Sequence, residues 1–162
     1  MAVDLSNYVV GDAVKQAYKA LSANEAVQKA LDYMKEHEEE SIQQLIELTL
    51  IEAPTYHEMK RAEYMAAQYK ALGLTDVTID KNMVVYGTRK GVGNGPVVVL
   101  DGHMDTVFPE GTVTEVRREG DFLYAPGVGD DTAALVMNLA ILKGMNAAGI
   151  ETDGDLIFTA TP

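Results

Sequence analysis

The feature that most constrains the fold is the segment PVVVLD at residues 96–101, an unbroken β-branched run that ends in aspartate. Such a run is typical of a strand buried on both faces of a sheet. Residues 134–145, ALVMNLAILKGM, are apolar almost all round, which predicts a helix buried against that sheet. Residues 155–162, DLIFTATP, begin as a second buried strand. We therefore expect a βαβ unit in an α/β fold, with a mixed, partly parallel β-sheet flanked by helices.

The first half of the chain has helical periodicity. Apolar residues recur at helical spacing over residues 10–21, 27–34 and 42–49, and the sequence leaves open whether the last two segments form one helix or two. Ser22, three residues before Glu25, makes a capping-box pattern that predicts the start of the second helix.

A further amphipathic helix is predicted between Pro54 and Gly73. Thr55 and Glu58 have the spacing of a capping box, and an apolar stripe runs over residues 62–72. Proline ends the segment before this helix, and glycine is the favoured residue just beyond a helix C-terminus.

Strand-like segments begin after this helix. Residues 77–80 and 83–90 are predicted strands, and residues 113–118 and 122–125 a hairpin. The segment GVGNG at residues 91–95 has two interpretations, a phosphate-binding loop or a flexible turn. The turn is favoured, because a phosphate-binding glycine loop opens a helix and this one runs into a strand.

Composition limits the chemistry available to the chain. Cysteine is absent, so a metal ion would have to be bound by histidine and carboxylates. His37 and His57 lie in charged or helix-start contexts and are predicted to be surface residues. A net charge of −12 argues against nucleic-acid binding. The sequence contains neither an apolar run of ~18 residues nor a signal-peptide pattern, so we expect a cytoplasmic protein without a membrane partner.

Two acidic motifs are candidates for a functional site. His103 and Asp105 follow the strand at residues 96–101, two positions apart, where an extended backbone points both side chains the same way. They are either a metal-binding pair or a turn histidine with a loop-capping aspartate. Asp130 and Asp131 open the apolar helix, either as caps or as metal ligands. Both motifs should lie at one edge of the sheet, where α/β proteins bind ligands.

Three ordered motifs carry a family resemblance: DGHMDTVFP at residues 101–109, GVGDD at residues 127–131 and IFTATP at residues 157–162. In this order they resemble the catalytic domain of the two-zinc aminopeptidase, carboxypeptidase and aminoacylase superfamily, and within it the tripeptidase T type. The resemblance implies that residues 41–162 are the N-terminal portion of a zinc-exopeptidase-like catalytic domain. Residues 1–40 would be a helical extension.

The resemblance also implies residue roles. His103 would bind one Zn²⁺ ion, Asp130 would bridge two, and Asp105 would act in catalysis by orienting His103. The Asp130–Asp131 peptide bond is often cis in this superfamily. Cobalt or manganese could replace zinc, since histidine and carboxylates admit all three. One departure is Thr132, where the superfamily often has lysine.

The activity implied is hydrolysis of a peptide or N-acyl bond in a short peptide or N-acyl amino acid, by a protein that forms a homodimer at full length. In the superfamily a Glu-Glu pair that supplies the general base follows the strand matching IFTATP. The printed sequence ends at Pro162, so we expect a truncated domain that is inactive by itself.

A different class of function is also open. The chain could be a non-catalytic acidic interaction module on a peptidase-like scaffold, with Asp105, Asp130 and Asp131 as caps or as a weak calcium site. Residues 1–40 would then form its partner surface. The presence or absence of the Glu-Glu pair in the reading frame after Pro162 distinguishes the two.

Overall fold

The structure is a computed structural model that describes residues 10–162. None of the helices in this range is both long enough and apolar enough to cross a membrane. The helices are α1 (Asp12–Ser22), α2 (Glu25–Glu36), α3 (Glu38–Thr49), α4 (Met59–Ala71) and α5 (Ala133–Ala148), and the strands are β1 (Thr75–Ile79), β2 (Val85–Arg89), β3 (Val98–Leu100), β4 (Arg117–Glu119), β5 (Phe122–Tyr124) and β6 (Leu156–Ala160).

The main sheet is mixed, as the sequence predicts. Its strand order is β1-β2-β6-β3. Strand β2 pairs antiparallel with both β1 and β6, whereas β3 and β6 run parallel. The parallel pair with α5 between its strands is the predicted βαβ unit, and the predicted hairpin is present as β4 and β5. The α/β fold prediction is therefore confirmed.

The core lies between this sheet and helices α3, α4 and α5. Leu48, Met65, Leu139 and Phe158, from three helices and the central strand β6, have no exposed surface. The ring of Tyr69 on α4 packs at 6.2 Å from that of Phe158. The apolar stripes predicted for α4 and α5 are thus buried in one continuous core.

Strand β3 differs from its prediction. It is an edge strand, and Val98 and Val99 are 48% and 57% exposed instead of buried on both faces. Tyr86, on the same face as Val99, is 37% exposed. The reason is that no helix in residues 10–162 covers this face and no strand pairs with the free edge of β3. A β-branched run predicts a β-strand, but it does not predict whether other elements cover the faces of that strand.

The helix starts also differ in part from prediction. Helices α2 and α3 are separate, and the break is at His37. The cap of α2 is Asn24, whose side-chain oxygen accepts from the N–H groups of Ala26 and Val27, and not Ser22. Helix α4 has no side-chain cap, so Thr55 does not cap it. At α2 the capping-box spacing was misleading because Asn24 lies directly before the first helical residue, and at α4 because the helix begins at Met59, four positions after Thr55.

The glycine segment at residues 91–95 is a turn packed against residues 152–155. The N–H groups of Val92 and Gly93 donate to main-chain carbonyls there, each at 2.9 Å. A side chain on Gly154 would bring its Cβ within 2.0 Å of the Pro96 carbonyl oxygen. The segment is therefore built for close backbone packing, and these two N–H groups are not free to bind phosphate.

The predicted N-terminal extension is described only in part, because residues 1–9 lie outside the described residues. Helix α1 buries none of its residues, and Tyr18 is 74% exposed. Helix α2 packs on α5, where the backbone of Ala30 approaches Gly144 so closely that a Cβ on the glycine would lie 3.0 Å from the Ala30 carbonyl oxygen. Position 40 falls within α3. The division into an extension and a catalytic portion stays a prediction.

Candidate functional site

The segment that follows β3 is held in place by backbone hydrogen bonds to two other parts of the chain. The N–H of Met104 donates to the carbonyl of Thr161 at 2.6 Å, and the N–H of Thr161 donates to Gly102 at 3.0 Å. Further along, the N–H of Thr106 donates to Ala53 at 2.8 Å. Residues 102–106 thus lie between the end of β6 and the segment before α4, at the edge where β3 and β6 end. We call this edge the carboxyl edge.

The structure brings together all three predicted site residues at the carboxyl edge. His103 Nε2 lies 2.9 Å from Asp130 Oδ1, although 27 positions separate the two residues. On the other side of the ring, Nδ1 lies 3.1 Å from Asp105 Oδ1 and 3.2 Å from the Asp105 carbonyl oxygen. The side chains of His103 and Asp105, two positions apart in sequence, therefore lie together as expected. Nδ1 thus faces the Asp105 carboxylate, and Nε2 faces the Asp130 carboxylate, which is 92% exposed.

The two aspartates before α5 do not act as helix caps. They lie in the turn Val128–Thr132, where both have non-helical backbone angles and the peptide bond between them is cis, as the resemblance implies. The side chain of Asp131 accepts from the main-chain N–H of His103 at 3.1 Å. Neither carboxylate bonds to the start of α5. The capping interpretation of Asp130 and Asp131 is therefore wrong, and both face His103.

The surroundings of His103 favour a positive charge. Partial burial lowers the pKa of its imidazole, but the hydrogen bond to Asp130 and the charges of Asp131, Asp105 and Asp130 together outweigh this effect. The pKa of His103 consequently lies above its ordinary value. A cation bound at Nε2 would meet the same acidic environment that stabilises the proton.

Thr55 contributes to the site in a way that sequence reasoning missed. Its hydroxyl donates to Asp105 Oδ2 at 3.0 Å, across 50 positions of sequence. Asp105 thus contacts His103 through one carboxylate oxygen and Thr55 through the other. The threonine matches a cap signature equally well, so its residue type offered no signal for this role.

A hollow of 340 Å³ adjoins His103 and Asp130. Its walls include the side chain of Phe108 and the backbone of Gly127 and Gly129. Gly127 has φ +74°, and a Cβ at this position would lie 2.7 Å from a methyl group of Thr106. Glycine is therefore required here both by the backbone conformation and by the close approach of Thr106.

The donor atoms fit a metal ion in type but are few in number. An imidazole nitrogen and a carboxylate oxygen are ligands that zinc, cobalt and manganese accept, and the contact of Nδ1 with Asp105 is common for a metal-binding histidine. Within residues 10–162, however, no group of three or more histidine, aspartate or glutamate side chains is arranged to hold a metal ion. His37 stacks on Tyr33, and His57 is an exposed residue of the turn before α4, so neither lines the hollow beside His103 and Asp130.

Comparison with known proteins shows which proteins this chain resembles. Residues 99–162 match the profile of peptidase family M20/M25/M40. Carboxypeptidase G2 from Pseudomonas is 33% identical over 101 residues, 61% of this chain and 23% of that protein. A candidate LysW-lysine/LysW-ornithine hydrolase from Pyrococcus abyssi is 34% identical over 120 residues, 74% of this chain and 32% of that protein.

Among solved structures, a tripeptidase from Staphylococcus aureus superimposes with a TM-score of 0.66 at 26% identity, covering 74% of this chain and 35% of that one. The chain thus spans between about a quarter and a third of the length of its curated relatives. The profile match contains both His103 and Asp130, and the fold matches that of the tripeptidase over 74% of this chain. On these grounds the resemblance to the metallo-exopeptidase superfamily is confirmed, and residues 99–162 are similar to peptidase family M20/M25/M40.

Proposed function

We propose that the protein is a metal-dependent hydrolase of peptide or N-acyl bonds in short peptides, and that this chain supplies one part of its metal site. The observation that carries the proposal is the convergence of His103 Nε2 and Asp130 Oδ1 to 2.9 Å at the carboxyl edge. Support also comes from the relatives, which are named as a carboxypeptidase, a tripeptidase and a further hydrolase.

Each residue of the site has a distinct task in this proposal. His103 would bind a metal ion through Nε2, and Asp130 would bind it through its exposed carboxylate. Asp105 keeps the proton of the imidazole on Nδ1 through its carboxylate and its carbonyl oxygen, which leaves the Nε2 lone pair free. Thr55 holds the far oxygen of Asp105. A bound Zn²⁺ ion, or Co²⁺ or Mn²⁺ in its place, would supply Lewis acidity and a water of lowered pKa.

The substrate proposed is a short peptide or an N-acyl amino acid. The hollow beside the metal-binding atoms is small and partly apolar, with Phe108 in its wall, and suits one amino-acid side chain better than a folded protein. We include tripeptides, dipeptides and N-acyl amino acids, because this hollow does not discriminate among them. A homodimer in the cytoplasm is the proposed form of the longer protein.

Metal binding is the first test. Titration of the chain with Co²⁺, followed by absorption and calorimetry, should show binding that His103→Ala and Asp130→Ala abolish. His57→Ala is the matched control, because that histidine is exposed and lies outside the site. Binding that survives both site substitutions would contradict the proposed site.

Hydrolysis is the second test. We expect no turnover of a tripeptide, dipeptide and N-acyl amino acid panel by the isolated chain with Zn²⁺, Co²⁺ or Mn²⁺. The reason is that two ligand side chains fall short of the about four positions that a zinc ion normally fills. Metal-dependent turnover that His103→Ala abolishes would show that the chain is competent and would overturn this expectation.

A further inference from the structure

Arg61 on α4 is buried to a degree that is rare for arginine. Its side chain has no exposed surface, whereas arginines are almost never fully buried without a paired group. Its hydrogen-bond partners among residues 10–162 are three main-chain carbonyls and one hydroxyl, and none of these is a carboxylate. A buried charge held in this way needs an explanation, since its desolvation is costly.

The guanidinium connects three segments that are distant in sequence. Its Nε donates to the Ile51 carbonyl at 2.6 Å and Nη2 donates to the Thr49 carbonyl at 3.4 Å, at the end of α3 and just after it. Its Nη1 donates to the Met104 carbonyl at 2.8 Å and to Thr132 Oγ1 at 3.1 Å. Four acceptors thus use most of the five N–H groups that a guanidinium offers.

The two partners of Nη1 lie on the two halves of the candidate site. Met104 stands between His103 and Asp105, and Thr132 stands two positions after Asp130. Thr132 Oγ1 also donates to the Gly127 carbonyl at 2.8 Å. The hydroxyl that accepts from Arg61 is therefore also bonded to the residue just before the turn Val128–Thr132. One nitrogen atom therefore joins the segment that carries the histidine to the turn that carries the aspartate.

We infer that Arg61 is a positioning residue of the site, which holds the Met104 carbonyl and the Thr132 hydroxyl together and so keeps His103 Nε2 next to Asp130. The inference rests on the proposed metal site for its functional meaning, while the geometry it explains exists without a metal ion. A lysine would keep the charge but could not supply a planar fork to four acceptors. The charge persists at neutral pH, because burial lowers the pKa of Arg61 only to about 10, against the raising effect of Asp105.

The test compares Arg61→Lys and Arg61→Met with the wild-type chain. Arg89→Lys and Arg89→Met are matched controls. Arg89 is half-buried, donates to the Ile150 carbonyl and lies at the opposite end of the sheet. The first measurement is the two-bond ¹⁵N–¹H spectrum of the imidazoles, at an alkaline pH where histidine is neutral. We expect the His103 resonances to move toward those of an exposed imidazole in both Arg61 variants and to stay unchanged in the controls.

His37 and His57 serve as internal controls in the same spectra, because a general loss of structure would move His37 as well. The second measurement is Co²⁺ affinity, which we expect to fall by about 10- to 100-fold in both Arg61 variants and by less than twofold in the controls. The absorption bands of bound Co²⁺ should also change, which a loss of stability alone would not produce.

Folded Arg61 variants with an unchanged His103 spectrum and unchanged Co²⁺ affinity would overturn the inference. If neither variant folds, Thr132→Val decides, because it removes one acceptor of Nη1 and leaves the charge in place; an unmoved His103 spectrum in that variant would also overturn it. If the wild-type chain binds no Co²⁺, the proposed metal site fails. The His103 spectrum still decides the role of Arg61 in that case.

Discussion

Asp105 offers the sharpest test of how the site is oriented. Its carboxylate lies 3.1 Å from His103 Nδ1 through one oxygen and 3.0 Å from the hydroxyl of Thr55 through the other. Asp105→Asn keeps the size of the side chain and removes its charge, whereas Asp105→Ala removes both contacts. The perturbation acts on His103 without touching a proposed metal-binding atom.

The expected loss of Co²⁺ affinity depends on which contacts His103 Nδ1 keeps after each substitution of Asp105. The Asp105 carbonyl oxygen stays 3.2 Å from Nδ1 in every variant, so the imidazole retains an acceptor for its proton. Partial exposure, 23% for Asp105 and 39% for His103, also moderates the loss of the charge. We therefore expect Asp105→Asn to weaken Co²⁺ binding by about 10-fold, or ~1.4 kcal/mol, and Asp105→Ala by up to about 100-fold.

The assay is calorimetric titration of the chain with Co²⁺, with circular dichroism to confirm folding. Asp121→Asn, an exposed carboxylate in the β4–β5 turn, is the control and should change affinity by less than twofold. Equal affinities for wild type and Asp105→Ala would refute the orienting role. A loss as complete as that of His103→Ala would show instead that Asp105 binds the metal directly.

Three further predictions concern the fold. Asn24→Ala should lower the free energy of unfolding by about 1 kcal/mol in urea denaturation, because α2 loses its cap, while Asn24→Asp should retain most of it. Hydrogen bonds from the N–H groups of Gly111 and Val113 lower the pKa of Glu52. The ionised carboxylate should therefore stabilise the folded state fully at neutral pH, and this stabilisation should disappear as pH falls through the lowered pKa. The difference in melting temperature between wild type and Glu52→Gln should accordingly shrink in acid; a constant difference contradicts this. Exposed apolar side chains on the edge strand β3 should cause self-association in sedimentation velocity, and Val99→Lys should reduce it; a monodisperse wild-type monomer would count against this expectation.

The parts of the fold that were predictable are those encoded by local pattern. The apolar stripe of α4, the nearly uniform apolarity of α5 and the two parallel strands around it all depend on residues close in sequence. The spacing of His103 and Asp105 belongs to the same class, since an extended chain aligns alternate side chains. The rule that ligands bind where parallel strands end then placed Asp130 at the same edge.

The parts that failed depend on competition or on distant partners. Asn24 caps α2 although Ser22 fits the capping-box pattern. Both residue types can cap a helix, and the residue at which the helix begins decides which of them does so. The exposure of Val99 is set by whether anything covers β3, which its own residue type does not report. Arg61 carried one overlooked signal, since it stands four positions before Met65 on an otherwise apolar stripe.

By itself, the sequence determined the α/β class, the order of the elements and the chemical types of the candidate ligands, because these follow from periodicity and from motifs of a few residues. Only the tertiary structure decided which side chains meet: Thr55 reaches Asp105 across 50 positions and Arg61 reaches Thr132 across 71. Both contacts join residues that only the packing of distant segments brings together, and for the buried Arg61 that packing must also supply hydrogen-bond acceptors. Sequence neighbours do not specify either contact. The tertiary structure likewise turned Asp130 and Asp131 from apparent helix caps into partners of His103.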